Sequence, residues 1–324
     1  MLILVLLGIS LLIFILSRAV PTDVARLMAG PYADTEGVET IRKMYGLDLP
    51  LWQQYIRFMG GLFRGDLGTS YKTLRPVTKD IAEFLSATIE LGVYALVFSF
   101  ICGFILGTMS AIWENSPVDQ FGRFLAILGL SIPTFWLAMV GQLTLYLRFD
   151  LLPFGGRLSD FIIPPPVITG FLTIDSLVAG RMDAFKDAIF HLIMPAVILG
   201  FEPLAVITRM TRNSLIEVMR ELYIVTARAK GLPERLVVWR HAIRNALIPI
   251  VTITGLQIGH MMGGAILVET VLVWPGIGRY YSRAITSADY NPVIGVTLVI
   301  AFMRISINYV VDLIYAKLDP RIRY

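Results

Sequence analysis

Seven polar or ionisable side chains interrupt stretches of the chain that are otherwise apolar: Glu90, Glu202, Gln257, His260, Glu269, Arg304 and Asp312. In hydrocarbon such groups are costly, and where they occur they mark ion pairs, polar paths or ligand contacts. Glu90, Glu269 and Asp312 stand near the ends of their apolar stretches and suit pairing between helices or an interface. Gln257 and His260 are three apart and share one helical face, and Arg304 and Asn308 are four apart and share another. Glu202, Gln257, His260, Arg304 and Asn308 are therefore the candidates to line a water-filled path. Glu202 is the expected counter-charge of Arg304, and the competing reading shifts the span so that Arg304 lies nearer an interface.

Other chemistry is poorly supported. The phosphate-cradling pattern G-x-x-x-x-G-K-[ST] is missing, so the chain has no such route to binding ATP. His191, His241 and His260 are scattered without metal-ligand spacing, Cys102 is the single cysteine, and no serine has a nucleophile's company.

A second group of residues is built for contact rather than chemistry. Glu217 to Lys230 reads as a helix that stops at Gly231, with Lys230 in the last turn where a cation suits the helix dipole. Pro233 and Glu234 then suit the first turn of another helix. Ala227 and Ala229 flank the turn with small side chains that let another surface approach. The blander reading, a positively charged anchor on one membrane face, accounts for the arginines but not for the Gly-x-Pro turn.

The elements that hold these residues are spans. Apolar residues make up 56% of the 324 and charged ones 16%, with a mean hydropathy of +0.70. Soluble domains are about a quarter charged, so the natural solvent is a bilayer. A net charge of +4 gives no sign of nucleic-acid binding. Six stretches are long and apolar enough to cross: Leu2–Val20, Thr88–Trp113, Phe121–Leu147, Ile189–Met210, Leu247–Val273 and Pro292–Ala316. The first reads as a retained helix, since no basic leader or small-residue cleavage site accompanies it. The Thr211–Ala246 loop carries Arg212, Arg220, Arg228, Lys230, Arg235, Arg240 and Arg244 against three glutamates. Basic short loops stay inside, so this loop and both termini are expected in the cytoplasm.

The chain thus reads as all-α: a first transmembrane helix (1–20), an extracytoplasmic segment (21–87), and a core of five further spans (88–324). The core includes an extracytoplasmic excursion at 150–186 and a cytoplasmic loop at 211–246. Within 21–87, Val38–Tyr45 closing on Gly46 and Trp52–Met59 closing on Gly60-Gly61 read as short helices. Gly255, Gly259 and Gly263 repeat every four residues and favour a packing seam. Met261 and Met262 suit lipid or substrate equally.

Tyr223-Ile-Val-Thr-Ala-Arg-Ala-Lys-Gly231 followed by His241-Ala-Ile-Arg-Asn-Ala-Leu-Ile-Pro249 resembles the signature loop of binding-protein-dependent ABC permeases. The general pattern begins Glu-Ala-Ala; Val225-Thr226-Ala227 here departs from it as the peptide-permease branch does. Tyr45-Gly-Leu-Asp-Leu-Pro50, Gly65-Asp-Leu-Gly-Thr-Ser70, Thr88-Ile-Glu-Leu-Gly92, Thr208-Arg-Met-Thr-Arg-Asn-Ser214, Gly264-Ala-Ile-Leu-Val-Glu-Thr270, Trp274-Pro-Gly-Ile-Gly278 and Asp319-Pro-Arg-Ile-Arg323 look like dipeptide permeases, in order along nearly the whole chain. The excursion resembles the same branch. Two features differ: no basic residues precede the first span, and the usual Pro-Gly-Asp-Pro is Pro21-Thr-Asp-Val24.

The resemblance implies a six-helix type I ABC importer permease in the bacterial inner membrane. It implies a second homologous permease, two ATPases that bind ATP and magnesium, and an extracytoplasmic binding protein, with no cofactor on this chain. It also implies that Thr226, Ala227, Arg228, Ala229, Lys230, Gly231, Leu232, Pro233 and Glu234 couple to an ATPase. Di- or oligopeptides are the expected cargo, with nickel chelates or glutathione as the alternative. An ion-coupled secondary transporter, the reading from another class, would bring inverted repeats and matched broken helices, which this sequence does not display.

Overall fold

The computed structural model describes residues 2–19, 24–29 and 32–318. Among them there is no strand, only an isolated bridge between Thr69 and Pro76. Contacts divide the chain into two compact units, Met1–Leu85 with Gly276–Met303 and Ser86–Pro275 with Arg304–Tyr324.

In the first unit, α1 (Leu2–Ala19) is followed by α2 (Val24–Ala29), α3 (Thr35–Met44) and α4 (Leu51–Phe63). Helix α3 starts on Asp34, whose side chain accepts from the Gly37 N–H, and stops before Gly46 in a left-handed conformation, as expected. Helix α4 differs from expectation. It runs through Gly60-Gly61 and ends only where Gly65 turns left-handed, because a glycine stops a helix when it adopts positive φ and these two do not. Phe14 of α1 packs on Tyr55 and Phe58 of α4. The unit's core gathers Val77, Ile81, Ile277, Tyr280 and Val296, drawing on α13 (Ile277–Thr286) and on the first part of α14 (Tyr290–Leu318). Beside it sit two buried carboxylates, Asp80 and Asp289. Tyr280 donates to Asp80, and Ser70 donates to Asp289 over 2.6 Å.

The second unit contains most of α5 (Val77–Ile112), then α6 (Pro117–Ser131) and α7 (Thr134–Gly141), the latter continuing as a π-helical stretch over Gln142–Arg148. After the excursion, which carries α8 (Leu172–Val178), comes α9 (Met182–Met219). The loop that follows holds α10 (Leu222–Ala229) and α11 (Glu234–Leu236), and a π-helical stretch over Val237–Ala242 leads into α12 (Ile243–Val271). Helix α9 is the axis of the unit, packed by α6, α7, α8 and α12. A β-carbon at Gly107 of α5 would meet the Thr208 carbonyl oxygen at 2.6 Å, so only glycine lets those two backbones come so close. The core there is Leu91, Leu192, Ile198, Leu199, Val268 and Trp274 among others. Met261 and Met262 are buried, Met261 within this core, so neither faces lipid or a path.

Among the described residues four helices are long and apolar enough to cross a membrane, in Val77–Ile112, Met182–Met219, Glu234–Val271 and Tyr290–Val311. A fifth crossing arises if Pro117–Ser131 and Thr134–Arg148 count together, although they bend by 103°. The expected straight span over Phe121–Leu147 is thus broken at Ile132-Pro133, where proline removes a donor and biases the preceding residue out of helix. The first expected span is represented by the shorter apolar stretch Val5–Leu16. Val20, Pro21–Asp23 and the tail Asp319–Arg323 lie outside the described residues, as does the side chain of Asp312.

Candidate functional site

The five candidate path residues are placed by three helices of the second unit. Glu202 lies midway along α9, Gln257 and His260 on α12, and Arg304 and Asn308 on α14. His260 Nδ1 lies 3.6 Å from Glu202 Oε1, and the two side chains are 64% and 36% exposed on this chain. Glu202 therefore turns to an imidazole rather than to Arg304, its expected partner. Arg304 is exposed and makes no ion pair among the described residues. It nevertheless lies against the same turn of α12: a β-carbon added at Gly259 would sit 3.4 Å from Asn308 Oδ1 and 3.9 Å from Arg304 Cγ. Gly255, a turn away, meets Val311 still more closely, so two rungs of the glycine ladder form a seam with α14, while Gly263 faces open space. The Oε1 of Gln257 is buried without a hydrogen-bond partner among the described residues.

Glu90 and Glu269 belong to a different network. Glu90 is buried and accepts from the Arg157 guanidinium and from both the N–H and the hydroxyl of Thr173. Arg157 also donates to the Gly170 carbonyl. Glu269, equally buried, accepts from Thr88 over 2.6 Å. Asp175 fastens the loop from within, accepting from the backbone of Ile168, Thr169 and Gly170. Burial pushes the Asp175 carboxyl up, but the bonds from Thr169, Ile168 and Gly170 outweigh it and hold the group below the ordinary carboxylate range. The excursion is thus ordered through long-range polar bonds that no sequence spacing announces.

The loop after α9 forms the expected hairpin with different boundaries. The helix anticipated from Glu217 to Lys230 is broken at Arg220-Glu221, where α9 ends and α10 begins. Gly231 has φ +76°, and the space where its β-carbon would stand is open, so glycine is required by conformation and not by crowding. Pro233 caps α11 at its first residue, Glu234. Across the turn Arg228 grips Glu234 with two hydrogen bonds of 2.6 and 3.2 Å. Thr226 and Lys230 are exposed, Leu232 is half-buried, and Ala229 faces out. Ala227 faces in: with Ile224, Leu215, Val237 and Val238 it packs into the hairpin's own core, so its small size serves that packing rather than an approaching surface. The outward surface instead shows Leu222, Val225 and Trp239, all more than half exposed.

Two of the loop's arginines have partners that sequence reading missed. Arg212 binds the fully buried Asp119 through two bonds, of 2.5 and 2.9 Å. Arg220 lies 3.4 Å from Glu114. These pairs tie the end of α9 to the α5–α6 turn.

Two family models of the same transport systems match the chain on either side of residues 93–102. The binding-protein-dependent transport system inner membrane component matches residues 103–324, and the N-terminal component of the same systems matches residues 1–92. The chain is 43% identical over 321 residues to a probable D,D-dipeptide transport system permease protein of Escherichia coli, covering 99% of this chain and 94% of that protein. It is 41% identical to a dipeptide transport system permease protein of Alkalihalophilus pseudofirmus, covering 99% and 96%. A glutathione transport system permease protein of Pectobacterium atrosepticum is 38% identical, covering 98% and 95%.

Proposed function

The chain belongs to the inner membrane components of binding-protein-dependent transport systems, and on that premise we propose that it imports dipeptides or short oligopeptides as one half of an ATP-driven permease. One observation carries the mechanism. A single unbroken helix, α9, bears Glu202 at mid-length, is tied by Arg212 near its end, and is followed at once by the hairpin. Movement imposed on the hairpin is therefore transmitted past the polar cluster to the far end of α9 through continuous backbone rather than through loops. Leu222, Val225 and Trp239 offer an ATPase subunit an exposed apolar surface, with Trp239 the residue type that most often anchors an interface. The Gly231 turn and the Arg228–Glu234 bonds hold that surface in one shape.

The finer arrangement in this proposal is six spans, with α1 as the first and the bent α6–α7 pair as the third, and both termini in the cytoplasm. The segment after α1 and the excursion then lie outside, where a binding protein delivers cargo. A second homologous permease completes the path, and two ATPases bind the ATP and magnesium. Glutathione, itself a peptide, is the second reading, favoured by the similarity to the Pectobacterium permease.

The experiment is uptake of a labelled dipeptide into proteoliposomes holding the full complex with its binding protein. ATP-dependent accumulation that disappears when this chain is omitted supports the proposal. Accumulation unaffected by omitting it, or uptake driven by an ion gradient without ATP, overturns it.

A further inference from the structure

We infer that Glu202 with His260 at one end, and Arg304 at the other, form a two-ended site that takes the opposite charges of a zwitterionic peptide as it passes. The inference rests on the import reading above. Charged side chains at the middle of a span are costly to expose to hydrocarbon, and hence avoid lipid. Glu202, His260 and Arg304 all lie in the middle portions of apolar helices, and His260 and Arg304 are exposed on this chain. They therefore face water, cargo or another subunit.

The arrangement favours cargo. If the charges served only to neutralise each other, Glu202 and Arg304 would pair. Instead Glu202 lies 3.6 Å from an imidazole, and Arg304 is left without an ion pair among the described residues. Both flank the same turn of α12, Glu202 at His260 and Arg304 at Gly259. The termini of an extended dipeptide are about 7 Å apart, and Glu202 and Arg304 approach α12 at consecutive residues, His260 and Gly259. Glu202 is the acceptor for the α-ammonium, and the planar guanidinium of Arg304 suits the carboxylate through paired bonds.

The test compares uptake of a dipeptide, its C-terminal amide and its N-acetyl form by the reconstituted complex. Wild type is set beside Arg304→Gln, Arg304→Lys and Glu202→Gln. The same binding protein serves every variant, so the variant-to-wild-type ratio for each peptide cancels its delivery preference. Arg304→Gln should lower uptake of the free dipeptide at least about tenfold while leaving the ratio for the C-terminal amide near one, and Arg304→Lys should restore part of the loss. Glu202→Gln should do the same for the free dipeptide against its N-acetyl form. In parallel, a diazirine-bearing dipeptide photolysed during turnover should label the chain around 257–260 and 304–308. Equal ratios for all three peptides, labelling confined elsewhere, or loss of the second permease from the purified Arg304→Gln complex would each overturn the site. Failure of wild type to import any peptide would overturn the import reading itself.

Discussion

The guanidinium of Arg157 donates to a Glu90 carboxylate that is 1% exposed, joining residues 67 positions apart. The pair fixes the excursion to α5, and Arg157 also lies over the Trp274 ring, 6.0 Å from its centroid. Removing one member of a buried pair strands the other and typically costs about 3–5 kcal/mol. Arg157→Met should therefore destabilise the protein by that order and open residues 150–186 to limited proteolysis. Replacing both, Arg157→Met with Glu90→Gln, should recover part of the stability, because the neutral amide needs no counter-charge and its oxygen still accepts from Thr173. Unfolding in detergent and mapping of the cleavage sites read both effects.

Gly231 stands at φ +76° with no neighbour to clash. Left-handed backbone costs an ordinary L residue about 1–2 kcal/mol, and asparagine bears it better. Gly231→Val should thus yield a complex that hydrolyses ATP with little transport, and Gly231→Asn one that transports nearly normally. Transport at the wild-type rate by the valine variant would remove the hairpin from the coupling route.

The Arg228–Glu234 bonds cross the same turn but are solvent-exposed, at 41% and 56%. Exposed pairs contribute about 0.2–1 kcal/mol and weaken with salt. Glu234→Gln is expected to lower stability by no more than that, with the difference shrinking at high ionic strength. A loss of several kcal/mol would show that the pair is held in a drier setting, such as a subunit interface.

Asp289 gives a pH signature. Burial raises its carboxyl above the ordinary value, against the hydrogen bond from Ser70 that lowers it. The folded state then binds this proton more tightly than the unfolded state. The contribution is fully present below the unfolded value of about 3.9 and is lost as pH rises through the folded value. Asp289→Asn, which stays neutral, should gain stability relative to wild type as pH rises from 4 to 7. A difference between the two that is constant across that range would contradict the assignment.

Glu202 and His260 should show coupled effects. The double-mutant cycle of Glu202→Gln with His260→Gln is expected to give an interaction energy of about 0.5 kcal/mol or more, and the cycle of Glu202→Gln with Arg304→Leu a smaller one. Purely additive effects in the first cycle would mean that the 3.6 Å approach carries no energy.

What the sequence announced were features that depend on near neighbours. Apolar length located α5, α9, α12 and α14, and the Gly-x-Pro turn located the hairpin. The polar start of α5, with Lys79, Asp80 and Glu83, broke the apolar signal, so the helix begins well before the expected span. Gly60-Gly61 looked like a stop because composition carries no φ. Ala227 looked outward-facing because a small residue fits a tight core as well as a close approach. The partners of Glu90, Asp119 and Glu202 were hidden for one reason: each comes from a distant segment, and spacing along a chain does not encode which helices become neighbours. The polar cluster was legible as a set of residues, though not in its pairing.

The length of α9 has a mechanical consequence. At about 1.5 Å per residue its 38 residues extend roughly 57 Å, nearly twice the ~30 Å of bilayer hydrocarbon. Glu202 lies close to the midpoint of this rod, roughly 26 to 30 Å from either end. A tilt of about 10° about that midpoint would swing the two tips by roughly 4–5 Å in opposite directions while displacing Glu202 hardly at all. Pro195 and Pro203 each remove an amide donor from the middle of this rod, yet the helix runs through both without a break. A seesaw of this kind can widen one mouth as it narrows the other, leaving the charges between them in place.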